Sequence, residues 1–186
     1  ETLDDFLEKY GKDPFLIFGF TFLIWQYLVL ALKQSGLKKD LSQGILVHGG
    51  GWKKLESQAV SKQEYKARLQ QVCGITKVHD YYGMAEQAGS IFMECECGHL
   101  HASDYSGILF RRASDFSICD IGERGIIQVL STLPKSYPGH SVLTEDEGRL
   151  LGMDDCPCGR KGAYFEVFGR LKHAQIRGCS DTFQKK

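Results

Sequence analysis

Two short runs of this 186-residue sequence repeat one pattern: Cys95-Glu96-Cys97-Gly98 and Cys156-Pro157-Cys158-Gly159. A cysteine pair closed by glycine is the make-up of a metal-binding knuckle. Soft thiolates of this kind select Zn2+ and hold it in a closed, four-coordinate site. Cys95, Cys97, Cys156 and Cys158 supply four donors. His99 and His101 lie near enough to replace one thiolate, so a Cys3His set with His101 in place of Cys97 is the alternative, and reduced thiols in ordinary turns are the plain reading. Such a zinc would pin two β segments about 60 residues apart and would not activate water. The cysteines number seven, an odd count that offers no disulfide framework.

A second chemistry is suggested by glycine. His48-Gly49-Gly50-Gly51-Trp52-Lys53 follows the apolar run Gly44-Ile45-Leu46-Val47. Glycines directly after a strand let the backbone approach a ligand closely and leave its amide donors uncovered, although a tight turn has the same composition. Tyr81-Tyr82-Gly83-Met84-Ala85-Glu86 adds an aromatic ring able to stack on a purine and a carboxylate able to hold Mg2+. Asp146 in Thr144-Glu145-Asp146, and Arg170 after Gly169, could hold a ribose and its phosphate, or stand as solvated charges. Cys179, two residues after Arg177, is a candidate nucleophile on a terminal segment.

Behind these residues stand the elements that must position them. Leu3, Phe6, Leu7 and Tyr10 recur at helical spacing, and Gly11 ends the helix. Phe15 to Phe18 reads as a buried strand that runs into a buried helix capped by Gly36. The strand ending at Val47 enters the glycine loop. Ser61 and Glu64 form a capping box for a helix that ends at Gly74, and Ile75 to His79 is the next strand. Alternating strands and helices predict a mostly parallel sheet with flanking helices, whose ligands bind at the carboxyl ends of the strands. After residue 90 helical periodicity fades into short runs, Gly107–Phe110, Ile126–Leu130, Ser141–Leu143 and Tyr164–Phe168, which predict a small antiparallel β subdomain. The expected division is residues 1–90, 91–175 and a hinge with C-terminal tail at 176–186.

Composition excludes several classes. Twenty-three basic residues balance 23 acidic ones, and no like-charge run is long enough to make an electrostatic footprint, so nucleic acid is not an expected partner. Phe15 to Leu32 carries no charge but is interrupted by Gly19, Thr21 and Gln26, which argues against a membrane span. The chain begins with Glu and shows no secretory signal; it is read as a piece of a longer cytoplasmic protein.

In order along the chain, the strings His48-Gly49-Gly50-Gly51-Trp52-Lys53, Tyr82-Gly83-Met84-Ala85-Glu86-Gln87, Ser136-Tyr137-Pro138-Gly139-His140, Thr144-Glu145-Asp146, and Gly169-Arg170 leading to Cys179 resemble the adenylate-forming acyl-CoA synthetase superfamily. Within it they resemble the acyl-protein synthetase (LuxE-type) family linked to bacterial bioluminescence. The resemblance implies a chain forming the C-terminal part of an adenylation domain. It implies ATP-dependent activation of a carboxylic, typically fatty, acid as acyl-adenylate, with transfer to a protein cysteine. Gly49, Gly50, Gly51, Tyr82, Gly83, Met84 and Asp146 would bind nucleotide. Glu86 would help hold Mg2+ on the phosphates, Arg170 would sit near ribose and phosphate, and Cys179 would accept the acyl group, with an acyl-CoA reductase-type protein as the further acceptor. The related phenylacetate-CoA ligases share a similar cysteine and histidine arrangement, in keeping with zinc. Two departures stand out: Ala85 replaces a threonine that touches phosphate, and Glu145 replaces the glycine before the ribose aspartate. The phosphate loop expected upstream is absent from these residues. A zinc-stabilised, catalytically degenerate binding module on the same scaffold is the alternative reading.

Overall fold

The structure, a computed structural model, describes residues 2–87 and 89–171, with Lys54 described in its backbone alone. The chain divides into two compact units, Glu1–Tyr81 and Tyr82–Lys186. The division falls before the Tyr82-to-Gln87 turn rather than at residue 90, because Tyr82 and Met84 pack against the core of the second unit.

The first unit begins with helix α1, Leu3–Tyr10, closed by a reciprocal capping box between Thr2 and Asp5. Strands β1 (Phe15–Phe20), β2 (Gly44–Gly49) and β3 (Lys77–Tyr82) form a parallel sheet in that order, with Phe20 opposite Gly49 and Gly49 opposite Tyr81. Between β1 and β2 runs one continuous helical stretch: α2 (Thr21–Ile24), a π-helical turn (Trp25–Leu30) and α3 (Ala31–Ser35), ended by Gly36 in the left-handed conformation at φ 67°. The uncharged run from Phe15 is therefore a strand followed by a helix. Among the described residues no helix is long and apolar enough to cross a membrane.

Helix α4 (Lys62–Cys73) links β2 to β3 and begins where the Ser61 hydroxyl accepts the Glu64 N–H at 3.1 Å. The helices cover one face of the sheet. Trp25, Val29, Leu32, Leu46, Tyr65, Leu69 and Val78 are buried there. One expectation is corrected: β1 is not buried on both faces but alternates, with Leu16, Phe18 and Phe20 exposed. A strand at the end of a sheet, helix-covered on one side, leaves every second side chain outside the core.

The second unit is antiparallel throughout. Strands β4 (Phe92–Glu94), β5 (Leu100–His101), β6 (Ser106–Arg111), β7 (Gly125–Ser131), β8 (Ser141–Met153) and β9 (Ala163–Arg170) lie in the order β4-β5-β9-β8-β7-β6. Inward residues of alternating strands meet in one core of Phe92, Leu100, Ile108, Phe110, Ile127, Val129 and Phe165, each large side chain contributing roughly 1.5–3 kcal/mol by burial. The Phe92 and Phe165 rings meet edge to face at 5.3 Å. An α/β first unit followed by an antiparallel β unit is the expected fold class. Strand β8 is longer than its apolar start suggested: it carries Thr144, Glu145 and Asp146 within the ladder and absorbs two register shifts against β9.

Candidate functional site

In the second unit the two cysteine runs fold into matching turns. The Gly98 N–H donates to the Cys95 carbonyl at 2.9 Å, and the Gly159 N–H donates to the Cys156 carbonyl at 2.9 Å. Both glycines adopt positive φ, 81° and 82°, which a side chain would disfavour. These turns place Cys95, Cys156 and Cys158 beside His101 of β5, whose register partner on β9 is Tyr164. One donor atom from each of the four lies within 4.8 Å of the others. The His101 Nε2 to Cys158 Sγ separation is 3.5 Å. Two ligands of a tetrahedral zinc, at Zn–N about 2.0 Å and Zn–S about 2.3 Å, stand apart by about 3.6 Å, so the donor set and spacing fit Zn2+.

Of the alternatives the sequence left open, His101 is the donor that the fold brings to Cys95, Cys156 and Cys158; Cys97 is exposed and outside that set. His99, which the sequence offered with His101 as a replacement for one thiolate, stands beside the set rather than in it. Its Nδ1 lies 3.3 Å from Cys156 Sγ, and Tyr164 lies beside both imidazoles, at 5.1 Å from His99 and 5.8 Å from His101. Among the described residues every cysteine is a free thiol. Burial pushes the Cys156 thiol up to about 11, opposed by the Cys158 backbone N–H and reinforced by the Cys158 and Cys95 thiols. Cys158 moves the other way. Desolvation opposes ionisation there too, but the Arg160 N–H at 3.4 Å and the thiols of Cys156 and Cys95 outweigh it, so this sulfur carries the pair's negative charge more readily. Desolvation, followed by Arg160 and His99, lowers His101, which keeps its imidazole neutral and able to ligate.

A second cluster in the same unit gathers three residues from separate strings. The Tyr82 hydroxyl donates to Asp146 Oδ2 at 2.8 Å. Asp146 and Arg170 are register partners across β8 and β9, with Arg170 Nε 4.0 Å from Asp146 Oδ1 and Arg170 Nη1 3.7 Å from Glu145 Oε2. Thr144 fixes the aspartate from behind, its Oγ1 accepting the Asp146 N–H at 3.1 Å. The Tyr82 ring rests on Phe92 and Phe165. Burial, then the Asp146 charge, pushes its phenol far above the ordinary range, so it is a permanent donor. Glu86 and Gly83 are exposed, and Met84 is half-buried against the core.

Gln87 is fully buried at the end of this turn. Its Nε2 donates to the carbonyls of Val129 at 3.2 Å and Gly139 at 2.6 Å, tying the Tyr82-to-Gln87 turn to β7 and to the Ser136-to-His140 loop. Sequence reasoning quoted Gln87 without assigning it, since nothing in a single sequence marks a glutamine as buried.

In the first unit, Gly49 closes β2, and a Cβ there would stand 2.6 Å from the Tyr81 ring, which would have to shift to admit it. Gly50 has φ 78°, and Gly51 faces open space. Cys179 lies outside the described residues.

The sequence profile of the acyl-protein synthetases, LuxE, matches residues 2–186. The chain belongs to the LuxE acyl-protein synthetase family. A search of curated proteins returns no match. Solved structures similar to this LuxE-family chain include 2-hydroxyisobutyryl-CoA ligase in complex with 2-HIB-AMP and CoA, at TM-score 0.67 and 19% identity over 88% of this chain and 35% of that one. ATP-bound MatB from Rhodopseudomonas palustris aligns at TM-score 0.58 and 14% identity, over 91% and 33% respectively. A long-chain-fatty-acid-CoA ligase from Archaeoglobus fulgidus aligns at 0.60 and 14%, over 90% and 36%. The shared fold is that of adenylate-forming ligases, and the LuxE-family chain spans about a third of the length of these structures.

Proposed function

We propose that this chain is part of a LuxE-type ligase that activates a carboxylic acid with ATP and passes the acyl group to a cysteine thiol. The observation that carries the reading is the meeting of Tyr82, Asp146 and Arg170 in one cluster, in a chain of the LuxE family. An aspartate held by a phenol and a backbone-anchoring threonine presents its remaining lone pairs in a fixed direction, as recognition of ribose hydroxyls requires. The adjacent guanidinium suits the charge that develops on a transferring phosphoryl group.

In the first step a substrate carboxylate oxygen attacks the α-phosphorus of ATP and pyrophosphate leaves, giving the acyl-adenylate. In the second a thiolate attacks the acyl carbon and AMP leaves. Cys179 is the proposed thiol, and an acyl-CoA reductase-type protein the proposed further acceptor. A fatty acid is the proposed substrate, and the cytoplasm the proposed compartment. Gly49, Gly50 and Gly51 would contribute backbone donors. Tyr82, Gly83 and Met84 would line the base, Glu86 would hold Mg2+, and that ion would neutralise phosphate charge. Cys95, His101, Cys156 and Cys158 would hold a structural Zn2+.

One specific feature favours the degenerate-module alternative: Ala85 offers no hydroxyl to a phosphate. Calorimetric titration of the full-length protein with a non-hydrolysable acyl-adenylate analogue separates the readings. Saturable binding that is weakened in Asp146→Ala supports the ligase, and absence of binding by the intact enzyme supports the module.

A further inference from the structure

The first unit holds a buried polar cluster that none of the roles above uses. Its members gather at the carboxyl ends of the three parallel strands: Thr21 just after β1, His48 near the end of β2 and Asp80 near the end of β3. Thr21 and His48 are both 7% exposed. Thr21 Oγ1 lies 2.9 Å from His48 Nδ1 and 3.2 Å from the Gly49 carbonyl oxygen. A hydroxyl has a single proton, and a carbonyl can only accept. Both contacts are hydrogen bonds only when Thr21 donates to Gly49 and accepts from His48, the arrangement that puts a proton on Nδ1.

The surroundings agree with that assignment. Asp80 Oδ1 stands 4.0 Å from the same nitrogen, and Lys62 lies 3.3 Å from the other oxygen of that carboxylate. The Tyr65 ring packs on the imidazole at 4.6 Å, and its hydroxyl donates to the Thr21 carbonyl at 3.4 Å. The chain of donors ends on the backbone atom that opens the glycine loop, immediately before Gly50 at positive φ.

We propose that Thr21 and His48 are positioning residues that clamp the Gly49 carbonyl and so set the direction in which the Gly50 and Gly51 amides face a ligand. The ligand half of this inference rests on the nucleotide reading above, and the clamp itself does not. An Nδ1–H is present in this neutral tautomer and in the imidazolium alike, so the clamp holds whether or not His48 is charged.

Hydrogen exchange across residues 49–51, read by mass spectrometry on the full-length protein, tests it. Thr21→Val and His48→Ala should each speed exchange there by about tenfold, whereas Thr21→Ser and His48→Asn, which keep the hydroxyl and an N–H donor, should exchange as wild type does. Wild-type exchange in Thr21→Val and His48→Ala overturns the clamp. If one of these two fails to fold, the other, checked by its melting curve, decides. In parallel, binding of the acyl-adenylate analogue should weaken severalfold in Thr21→Val and recover in Thr21→Ser. If wild-type protein does not bind the analogue, the nucleotide reading fails, and the exchange result still decides the clamp.

Discussion

At the scale of single residues, the two clusters of the second unit make opposite demands on their side chains. The proposed ribose contact needs Asp146 held in one direction, and the Tyr82 hydroxyl donates to it at 2.8 Å. Asp146→Ala should weaken adenylate-analogue binding in calorimetry. Tyr82→Phe should weaken it by about tenfold or more, because a hydrogen bond to a charged group is worth about 1.5–3 kcal/mol. The proposed zinc ligands must lose protons to bind metal. With its thiol at about 11 when no metal is bound, Cys156 is protonated at neutral pH, so zinc must displace that proton. Apparent zinc affinity should therefore climb by about tenfold per pH unit from this thiol alone as pH rises from 6 to 8, and fall as pH drops. Competition with a chromogenic chelator measures the slope. The same assay should find Cys97→Ser unchanged and His101→Ala weakened, since Cys97 is not among the clustered donors.

The cysteine pairs were legible from spacing because few other structures need Cys-x-Cys-Gly twice. The choice between Cys97 and His101 was not, since it depends on β5 pairing with β9 across more than 60 intervening residues. Gln87 and Thr144 were equally silent: Gln87 donates to the Val129 carbonyl and Thr144 to the Ile127 carbonyl, backbone atoms brought near only by the tertiary fold.

At the scale of elements, local signals located the helices well. Ser61 accepts the expected Glu64 N–H, and Gly36 and Gly74 each take the left-handed conformation at a helix end. Ser61→Ala should cost about 1 kcal/mol in chemical denaturation through the lost cap. Strands were read less evenly. β4 and β5 have three and two residues, too short for any alternation to register. β8 was read as far as Leu143 because Glu145, Glu147 and Arg149 break an apolar pattern, yet their alternation is what an antiparallel strand with a wet face shows. Gly49→Ala should disturb the end of β2 against Tyr81 and lower stability by about 1–3 kcal/mol, measured by the same denaturation.

At the scale of the molecule, the family match over residues 2–186 and the shared fold account for the order of the clusters along the chain. A zinc held by Cys95, His101, Cys156 and Cys158, as proposed, would add a constraint that no hydrophobic core supplies. It would join β4 and β5 to the turn after β8, with β6, β7 and β8 inside the closed loop. A crosslink closing a loop of this length removes roughly 4 kcal/mol of unfolded-chain entropy in the simplest treatment. Chelation should lower the denaturation midpoint of wild type and leave that of Cys156→Ala where it is.

The outward face of β1 bears on how the protein behaves in a tube. Leu16 and Phe18 are each 66% exposed on the terminal strand of a sheet, with the Tyr81 ring stacked beside Phe18. The 186 residues carry no net charge at neutral pH, so electrostatic repulsion does little to keep copies apart. Concentrated solutions of this chain should turn cloudy first near neutrality and clear as the buffer moves away from it.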